Sequence, residues 1–554
     1  MHVSLVETTD QLRAFESAWC EVYRLDPESQ FFLSWWWLTD FLSKTDDGWV
    51  VLVATPEGAA APVAFFPLRL KLKKRRKSGQ FINGFNMAGN YAADYTGFLC
   101  LPDYEDQAIP AFAEHLMTMP WAFLKLEYLR ASGRRKELFL EAFSKKTFRI
   151  QSVERLNEID NVNNLICPYV DLPGTFEAYL SERLSANSRQ KLRRLLRKVD
   201  ADEGYRITHA DADTIGRDIE ILLDFWQAQW GERKGARLDK MVGNNRIVLQ
   251  GGFDMGHLYM PMLWKGEDPV AVLGSFLDHE KKTVLFMIAG RDQSFNDIPS
   301  GLVLHAHSIR HAIELGFETY DFLRGNERYK YSFGCNEVLI DCINITTRSG
   351  VNLGDRLAEQ SVPAVFNQAT QLHKQHLREE AETGYRQILA TVPQHAGALY
   401  GLGQLLAANE DHAGACRQFE ALTALQPGKV RAWLRLAQVR QQLPELDAAC
   451  DAYRRVIAIE PGLISAHFGL AKCLADMGKA SEAVEELHAI MRLPLRSDTD
   501  RRIAAEATKL LSVLKPGLVS SHPLLQPVSS ADQSPAIVLR NKMSTCVSPK
   551  PPQK

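Results

Sequence analysis

At 554 residues the chain is too long for one domain. Its 45% hydrophobic and 24% charged content is ordinary for globular protein, with material for more than one core. A formal net charge of −2 excludes a global pull towards nucleic acid, and no DNA partner is expected; an anionic partner must meet a local patch. The nine cysteines never stand in a C-x-x-C spacing, which reads as reduced, mostly buried thiols in a cytoplasmic protein. The start, MHVSLVETTDQLRAFESAW, lacks a basic region followed by an apolar run. No apolar stretch approaches the ~18–20 residues of a membrane span. The expectation is a cytoplasmic protein that can still lie peripherally against the inner membrane.

Along the chain, an aromatic segment FFLSWWWLTDFL (31–42) comes first. Residues 50–71 (VVLVATPEGAAAPVAFFPLRLK) read as strand, glycine turn and strand. The run KLKKRRK (71–77) reads as a hairpin tip or, more sharply, as a phosphate-facing patch. In NYAADYTGFL (90–99), Asp94 and Tyr95 are a turn pair or face an acceptor cleft between two halves. The helix SANSRQKLRRLLRKV (185–199) carries Arg189, Lys191, Arg193, Arg194, Arg197 and Lys198, with Leu192, Leu195, Leu196 and Val199 as its apolar stripe. Its cations are a solvated face or meet phosphates of a donor, a nucleotide-sugar, a lipid or the inner leaflet.

Residues 258–279 (LYMPMLWKGEDPVAVLGSFLDH) repeat the earlier hairpin: Pro269-Val270-Ala271 follows Pro62-Val63-Ala64 by 207 positions, which suggests a duplicated unit. A strand at 283–289 leads into the polar loop RDQSFNDIPSG, and GLVLHAHSIRHAIELG then recurs at helical spacing until Gly316 stops it. Ser300 and Gly301 open that helix, where free N–H groups and the positive dipole end form an anion site. TYDFL (319–323) is a strand, RGNERYKYSFG (324–334) a loop and EVLIDCINIT the last strand. His307 and His311 stand four apart as a weak metal pair, with only Glu314 beside them, so no metal is assigned; His305 is read as a core histidine.

The C-terminal periodicity is stronger. Pro393, Pro427 and Pro461 are 34 residues apart, as are Ala381, Ala415, Ala449 and Ala483. Leu402, Leu436 and Leu470 keep the same step, and so does the series Tyr385, Phe419, Tyr453, Leu487. This resembles the tetratricopeptide repeat (TPR) over about 378–494, with a helix at 498–514 capping the stack. The usual aromatic near each repeat start is kept only at Trp433, with Leu399 and His467 elsewhere. From 516 the composition turns to Pro, Ser and Gln and reads as disordered.

The segment IPSGLVLHAHSIRHAIELGFETYDFLRGNERYKYSFG resembles the signature of GNAT acetyltransferases of the CelD/BcsL type, associated with cellulose and exopolysaccharide biosynthesis. These are similar in turn to the Fem-type transferases with tandem GNAT domains. The shared features are Pro299-Ser300-Gly301, Asp321-Phe322, Gly325-Asn326-Glu327 and Tyr329-Lys330; the serine between Pro299 and Gly301 departs from the commoner Pro-Gly pair. The resemblance implies an α+β tandem GNAT-like fold of two mixed-sheet halves, followed by an all-α TPR solenoid and a disordered tail. The expected divisions are 1–170, 171–350, a linker at 351–377 with some helix, TPR repeats at 378–515 and the tail at 516–554. Splayed strands and the helix N-terminus at Pro299, Ser300, Gly301 and Leu302 would hold the pyrophosphate of acyl-CoA, the donor. Lys330 would place positive charge on the reacting oxygen or a phosphate, or else be a solvated surface lysine. Asp321 would be a base, orient Lys330, or close a loop through backbone N–H groups; Glu327 and Tyr331 are weaker candidates. Asp94, Tyr95, Arg189 and Arg193 are the candidate substrate-binding residues. The implied activity is N-acyl transfer from acetyl-CoA or another acyl-CoA to an amine-bearing sugar or lipid of the envelope, with the repeats docking a protein partner. Alternatives are Fem-like transfer from aminoacyl-tRNA, or a catalytically degenerate scaffold, against which the retained Asp321, Gly325, Glu327 and Lys330 argue.

Overall fold

The structure is a computed structural model that describes residues 1–45, 48–89 and 93–515. The expected tail at 516–554 and the first three residues of NYAADYTGFL lie outside the described residues. Met1–Leu402 forms one compact unit and the chain from Gly403 a second.

The first half begins with β1 (His2–Val6) and helices α1 (Thr9–Arg13), α2 (Glu16–Leu25) and α3 (Trp35–Lys44). The apolar runs VVLVA and AFFPL then form β2 (Trp49–Thr55) and β3 (Ala64–Lys74), joined through Ala54 opposite Ala64. After β4 (Phe81–Met87) and β5 (Leu99–Cys100), helix α4 (Glu105–Thr118) crosses to β6 (Phe123–Leu129). Helix α5 (Gly133–Leu140) and β7 (Phe148–Ser152) complete the half, and a short β8 (Leu156–Asn157)–β9 (Val162–Asn163) hairpin follows.

The second half repeats this plan. It comprises β10 (Ile166–Asp171), α6 (Phe176–Glu182), α7 (Ala186–Ala201), β11 (Tyr205–His209), α8 (Ile215–Lys234) and α9 (Leu238–Asp254). The strands β12 (Leu258–Tyr259), β13 (Pro261–Lys265), β14 (Asp268–Asp278) and β15 (Thr283–Arg291) follow. Helix α10 (Ser300–Glu314) then leads to β16 (Thr319–Asp321), β17 (Asn336–Leu339) and β18 (Asp341–Thr347).

The main strand orders are β1-β2-β3-β4-β6-β18-β7 and β11-β13-β14-β15-β16-β10-β17. Each sheet has one parallel pair at the same place, β4 with β6 and β15 with β16, and a helix joins each pair. The Pro-Val-Ala tripeptides fall at the start of β3 and β14, equivalent strands, so the duplication suggested by their spacing is visible as one topology built twice.

The expected division near residue 170 does not separate the sheets. β10, from the end of the first segment, pairs between β16 and β17, while β18, from the end of the second, pairs between β6 and β7. The halves exchange a strand. An alternating apolar strand specifies which face is buried, not which neighbour it pairs with.

Apolar faces set the layers. Leu68, Phe85, Leu124 and Ile345 meet Ile109, Phe112 and Leu116 of α4. In the second half, Val303, Ile309 and Ile313 of α10 share a core with Leu192, Leu195 and Leu196 of α7 and with Tyr320. A further cluster (Trp19, Phe31, Trp37, Phe65, Phe276, Leu285) joins the halves.

Residues 351–377, expected as a linker, carry helix α11 (Val362–Lys374), which packs against α12 (Arg378–Thr391). This stretch is bonded to the first half. The Asn83 side chain donates to Ser361 and its Oδ1 accepts from the Ala358 N–H, while the Asn83 N–H donates to Asn352. Gln387 exchanges two hydrogen bonds with the Phe81 backbone, and Lys74 pairs with Glu380.

The array continues as α13 (Ala396–Ala408), α14 (His412–Leu425), α15 (Val430–Arg440), α16 (Leu446–Ile459), α17 (Ile464–Asp476) and α18 (Ala480–Arg492). Ala415, Ala449 and Ala483 of the 34-residue series are fully buried, and Phe419, Tyr453 and Leu487 are buried beside them. The last helix, α19 (Asp498–Leu514), opens with a Ser497–Asp500 capping box and buries Ala507 and Leu511 against Leu487 and Ile490, as expected for a cap. Among the described residues, no helix is long and apolar enough to cross a membrane.

Candidate active site

β15 and β16 pair only over Thr283–Leu285 and Thr319–Asp321. β15 runs on to Arg291 against β14 alone, so beyond Leu285 the two parallel strands part and leave a wedge. In the same stretch Gly274 faces Ile288 but Ser275 faces Phe286, so Met287 is an extra residue on β15. Such a bulge takes a residue out of the ladder, a device common beside active sites. On the other side of the wedge the chain turns at Leu323, whose φ of 58 is rare for a bulky side chain and costs about 1–2 kcal/mol.

Helix α10 starts at the wedge. Its N-cap is Pro299, which supplies no side-chain hydrogen bond, and its first turn has no acidic residue. A Cβ added at Gly301 would meet nothing within 4 Å. The helix end is thus open above the backbone N–H groups, as a phosphate requires. Ser300 lies under the same turn with its hydroxyl buried and unpartnered.

Asp321 ends β16 and is 2% exposed. The Tyr95 hydroxyl donates to its two oxygens at 2.8 and 3.0 Å, and the Leu323 N–H donates at 2.7 Å. Arg130 approaches at 3.5 Å while its guanidinium lies over the Tyr95 ring. Burial raises the Asp321 carboxyl above the usual range, opposed first by Arg130. Burial also pushes the neighbouring Cys167 thiol up to about 12, which keeps it protonated. Asp94 forms an ion pair with Arg324, which stacks on Tyr128, itself at φ 57. Asp94 and Tyr95 therefore do meet the Asp321 loop, at the junction of the two sheets.

Lys330 is not a surface lysine. It is 3% exposed and begins a single 3-10 turn. Its ammonium donates to the Arg324 and Gly325 carbonyls at 2.9 Å each and lies 2.9 Å from the Glu327 carboxylate. With three N–H groups facing three partners, it clasps the 324–330 loop, and the expected charge on a reacting oxygen is spent on that loop as the structure stands. Gly325 is required there: its φ is 98, and a Cβ would stand 2.7 Å from the Glu327 carboxylate. Tyr331 points away from this group to Glu337. Arg189 and Arg193 are also separate from Asp94 and Tyr95. They sit on α7, which packs with α10 against the opposite face of the sheet, and Arg193 pairs with Glu177.

His305 is buried edge-on against Phe286, with Nδ1 3.1 Å from the Tyr320 hydroxyl. Burial, then Lys330, lowers it to about 3, so the ring is neutral. His307 meets His209 Nε2 to Nε2 at 3.1 Å, and its ring lies parallel to His311. Among the described residues no group of three or more His, Cys, Asp or Glu is arranged to hold a metal ion. Sequence reasoning missed Arg130, Tyr128 and Arg324. Tyr128 and Arg130 lie far from Arg324 in the chain and none of the three carries a motif; only the fold brings them together.

The sequence model for the acetyltransferase (GNAT) domain matches residues 186–331, from the start of α7 through α10 to Tyr331. The chain is a GNAT-type acyltransferase with C-terminal TPR repeats. Residues 366–418 match a tetratricopeptide repeat model, and 398–512 match the tetratricopeptide repeat of protein kinase G. No curated protein sequence matches the chain. Among solved structures, it is similar to FemX at 11% identity and TM-score 0.42, over 62% of this chain and 96% of FemX. The MamA protein is similar at 17% identity and TM-score 0.24, over 28% and 91%. The Yersinia enterocolitica chaperone SycD in complex with a YopD peptide is similar at 22% identity and TM-score 0.21, over 21% and 88%.

Proposed function

We propose that the enzyme transfers an acyl group from acyl-CoA to an amine of an envelope polysaccharide, glycolipid or precursor, as the CelD/BcsL-type resemblance implies. The observation that carries this is the wedge between β15 and β16 beside the open N-terminus of α10, within the acetyltransferase domain. The donor phosphates meet the N–H groups of Ser300, Gly301 and Leu302, and the acyl arm enters the wedge past Met287. The acceptor approaches from the junction of the sheets, where Asp94, Tyr95, Arg130 and Arg324 converge. The carbon–nitrogen bond forms as the carbon–sulfur bond breaks, and the amine proton leaves with CoA thiol or water. Backbone N–H groups freed by the bulge steady the developing oxyanion. Lys330 and Asp321 act as positioning residues: one holds the 324–330 loop, the other anchors Tyr95. Glu327 takes that proton from the amine and passes it to the departing CoA thiolate or to water. The repeats dock a protein partner.

The test is single-turnover transfer from radiolabelled acetyl-CoA to a panel of amino sugars and deacetylated oligosaccharides. Amide product on an amino sugar supports the reading. Absence of product from every acyl-CoA, with transfer from an aminoacyl-tRNA instead, would move the donor to the Fem-like class.

A further inference from the structure

The first sheet buries one face against α4; on its other face α2 and α3 cover Val51, Val53 and Phe65, and beyond them, from Arg69 on, lies a polar row. On the α4 face Leu68, Leu70, Phe85, Leu124 and Ile345 enter the core with that helix. On the other, cross-strand partners form a polar row over five strands: Arg69 faces Asn86, Asn86 faces Lys125, Lys125 faces Asn344, and Asn344 faces Gln151. The next row runs Lys71, Gly84, Phe123, Thr346, Arg149. At about 4.8 Å per strand the row is roughly 20 Å long.

The face is cationic. Lys73 lies over the Phe123 ring, 4.0 Å from its centroid, and Lys71, Lys125, Arg69 and Arg149 stand around it. Burial, then Lys125 and Lys71, disfavours the charged form of Lys73, while Glu127 favours it. Glu127 itself holds Asn86 and Arg155. Gly84 is what lets the Phe123 ring lie across the sheet, because a Cβ there would sit inside that ring. The row is continuous with the candidate active site: Glu127 leads to Tyr128, on which Arg324 and Arg155 stack.

Resting on the reading that the acceptor is a glycan, we infer that this face is the track on which an acidic oligosaccharide lies while its amine reaches the junction of the sheets. Three features select that occupant. Cations interleaved with Asn86, Asn344 and Gln151 suit a polymer that bears both negative charges and hydroxyls. The one aromatic ring among them, Phe123, is buried beneath Lys73, whereas single-stranded nucleic acid is held on exposed rings. Among the residues of the two rows the one large apolar side chain, Phe123, is buried, so the rows themselves offer nothing to insert into a bilayer.

The test is titration of the full chain with a short oligogalacturonide, a phosphorylated oligosaccharide of equal length, neutral cello-oligosaccharide, single-stranded RNA and anionic phospholipid vesicles. At least one acidic glycan should bind, weakening with salt, and the neutral one should not. The double variant Lys73→Gln/Lys125→Gln should bind that glycan at least tenfold more weakly. Its melting temperature, acetyl-CoA affinity and rate on a small amine should stay those of the parent. Equal affinity for acidic and neutral glycans, unchanged glycan binding by the double variant, or preference for RNA or vesicles overturns the inference. Loss of acetyl-CoA binding in the parent chain, with salt-sensitive glycan binding intact, would overturn the donor assignment and leave this face as assigned.

Discussion

In the first half, the helix that joins the parallel strands, α4, opens with Glu105 and Asp106, held by Arg135 and Arg134. In the second half, the equivalent helix, α10, opens with Ser300 and Gly301, has no acid in its first turn and faces open space. The strand order is the same in both. A helix N-terminus attracts negative charge, and the two halves satisfy it differently. One supplies the charge from its own side chains and becomes scaffold; the other leaves the place for a ligand. A duplicated fold need not duplicate a site; under the proposed function, the residues at one helix start decide which copy binds.

The largest expected effect is in the scaffold copy. Arg135 is buried and forms two bonds to Asp26, which is fully buried, as well as one to Glu105. Arg135→Met should leave these carboxylates unpaired and cost about 3–5 kcal/mol, seen as a large fall in melting temperature. Donor affinity measured below that temperature should be unchanged. Transplanting an acid into the other copy should do the reverse. Gly301→Glu should weaken acetyl-CoA on the order of 100-fold, about 2.7 kcal/mol, while the melting temperature hardly moves, because the added side chain meets open space.

Lys330→Met should touch both properties. Two carbonyls and Glu327 lose their donor, so stability should fall by about 1–3 kcal/mol and kcat by roughly tenfold or more. A normal kcat in a destabilised variant would make the clasp purely structural.

The smallest effect separates two of the buried aspartates, Asp26 and Asp321. Asp26 has a bidentate arginine, whereas Asp321 has one arginine contact at 3.5 Å and a carboxyl raised by burial. A raised folded value means that the Asp321 contribution is fully present below the unfolded value of 3.8 and is lost as pH rises through the folded value. Asp321→Asn should remove that loss. Its melting temperature should gain on the parent as pH rises above about 4, and parallel pH profiles would show that Asp321 does not titrate in this way.

Much of this was legible from residues. The 34-residue series placed the repeats because each buried Ala and aromatic recurs at one packing position, and the Ser300-Gly301 start was readable because Gly at a helix end has a physical use. The Pro-Val-Ala pair disclosed the duplication. What stayed hidden depends on partners far apart in the chain. The exchange of β10 and β18 cannot be read from alternation, which is silent about neighbours. The burial of Lys330 depends on a loop folding back on its ammonium, and the docking of 351–391 on Phe81 and Asn83 depends on the end of β4 being left for it. The wedge arises because β16 stops at Asp321 while β15 continues, a difference in strand length that no local pattern encodes.

Calorimetric titration of acetyl-CoA into the full chain tests the central claim, that only the second half binds donor. The account predicts one molecule per chain, binding lost in Gly301→Val and retained in Asp106→Ala. Two molecules per chain, or undiminished binding by Gly301→Val, would contradict it.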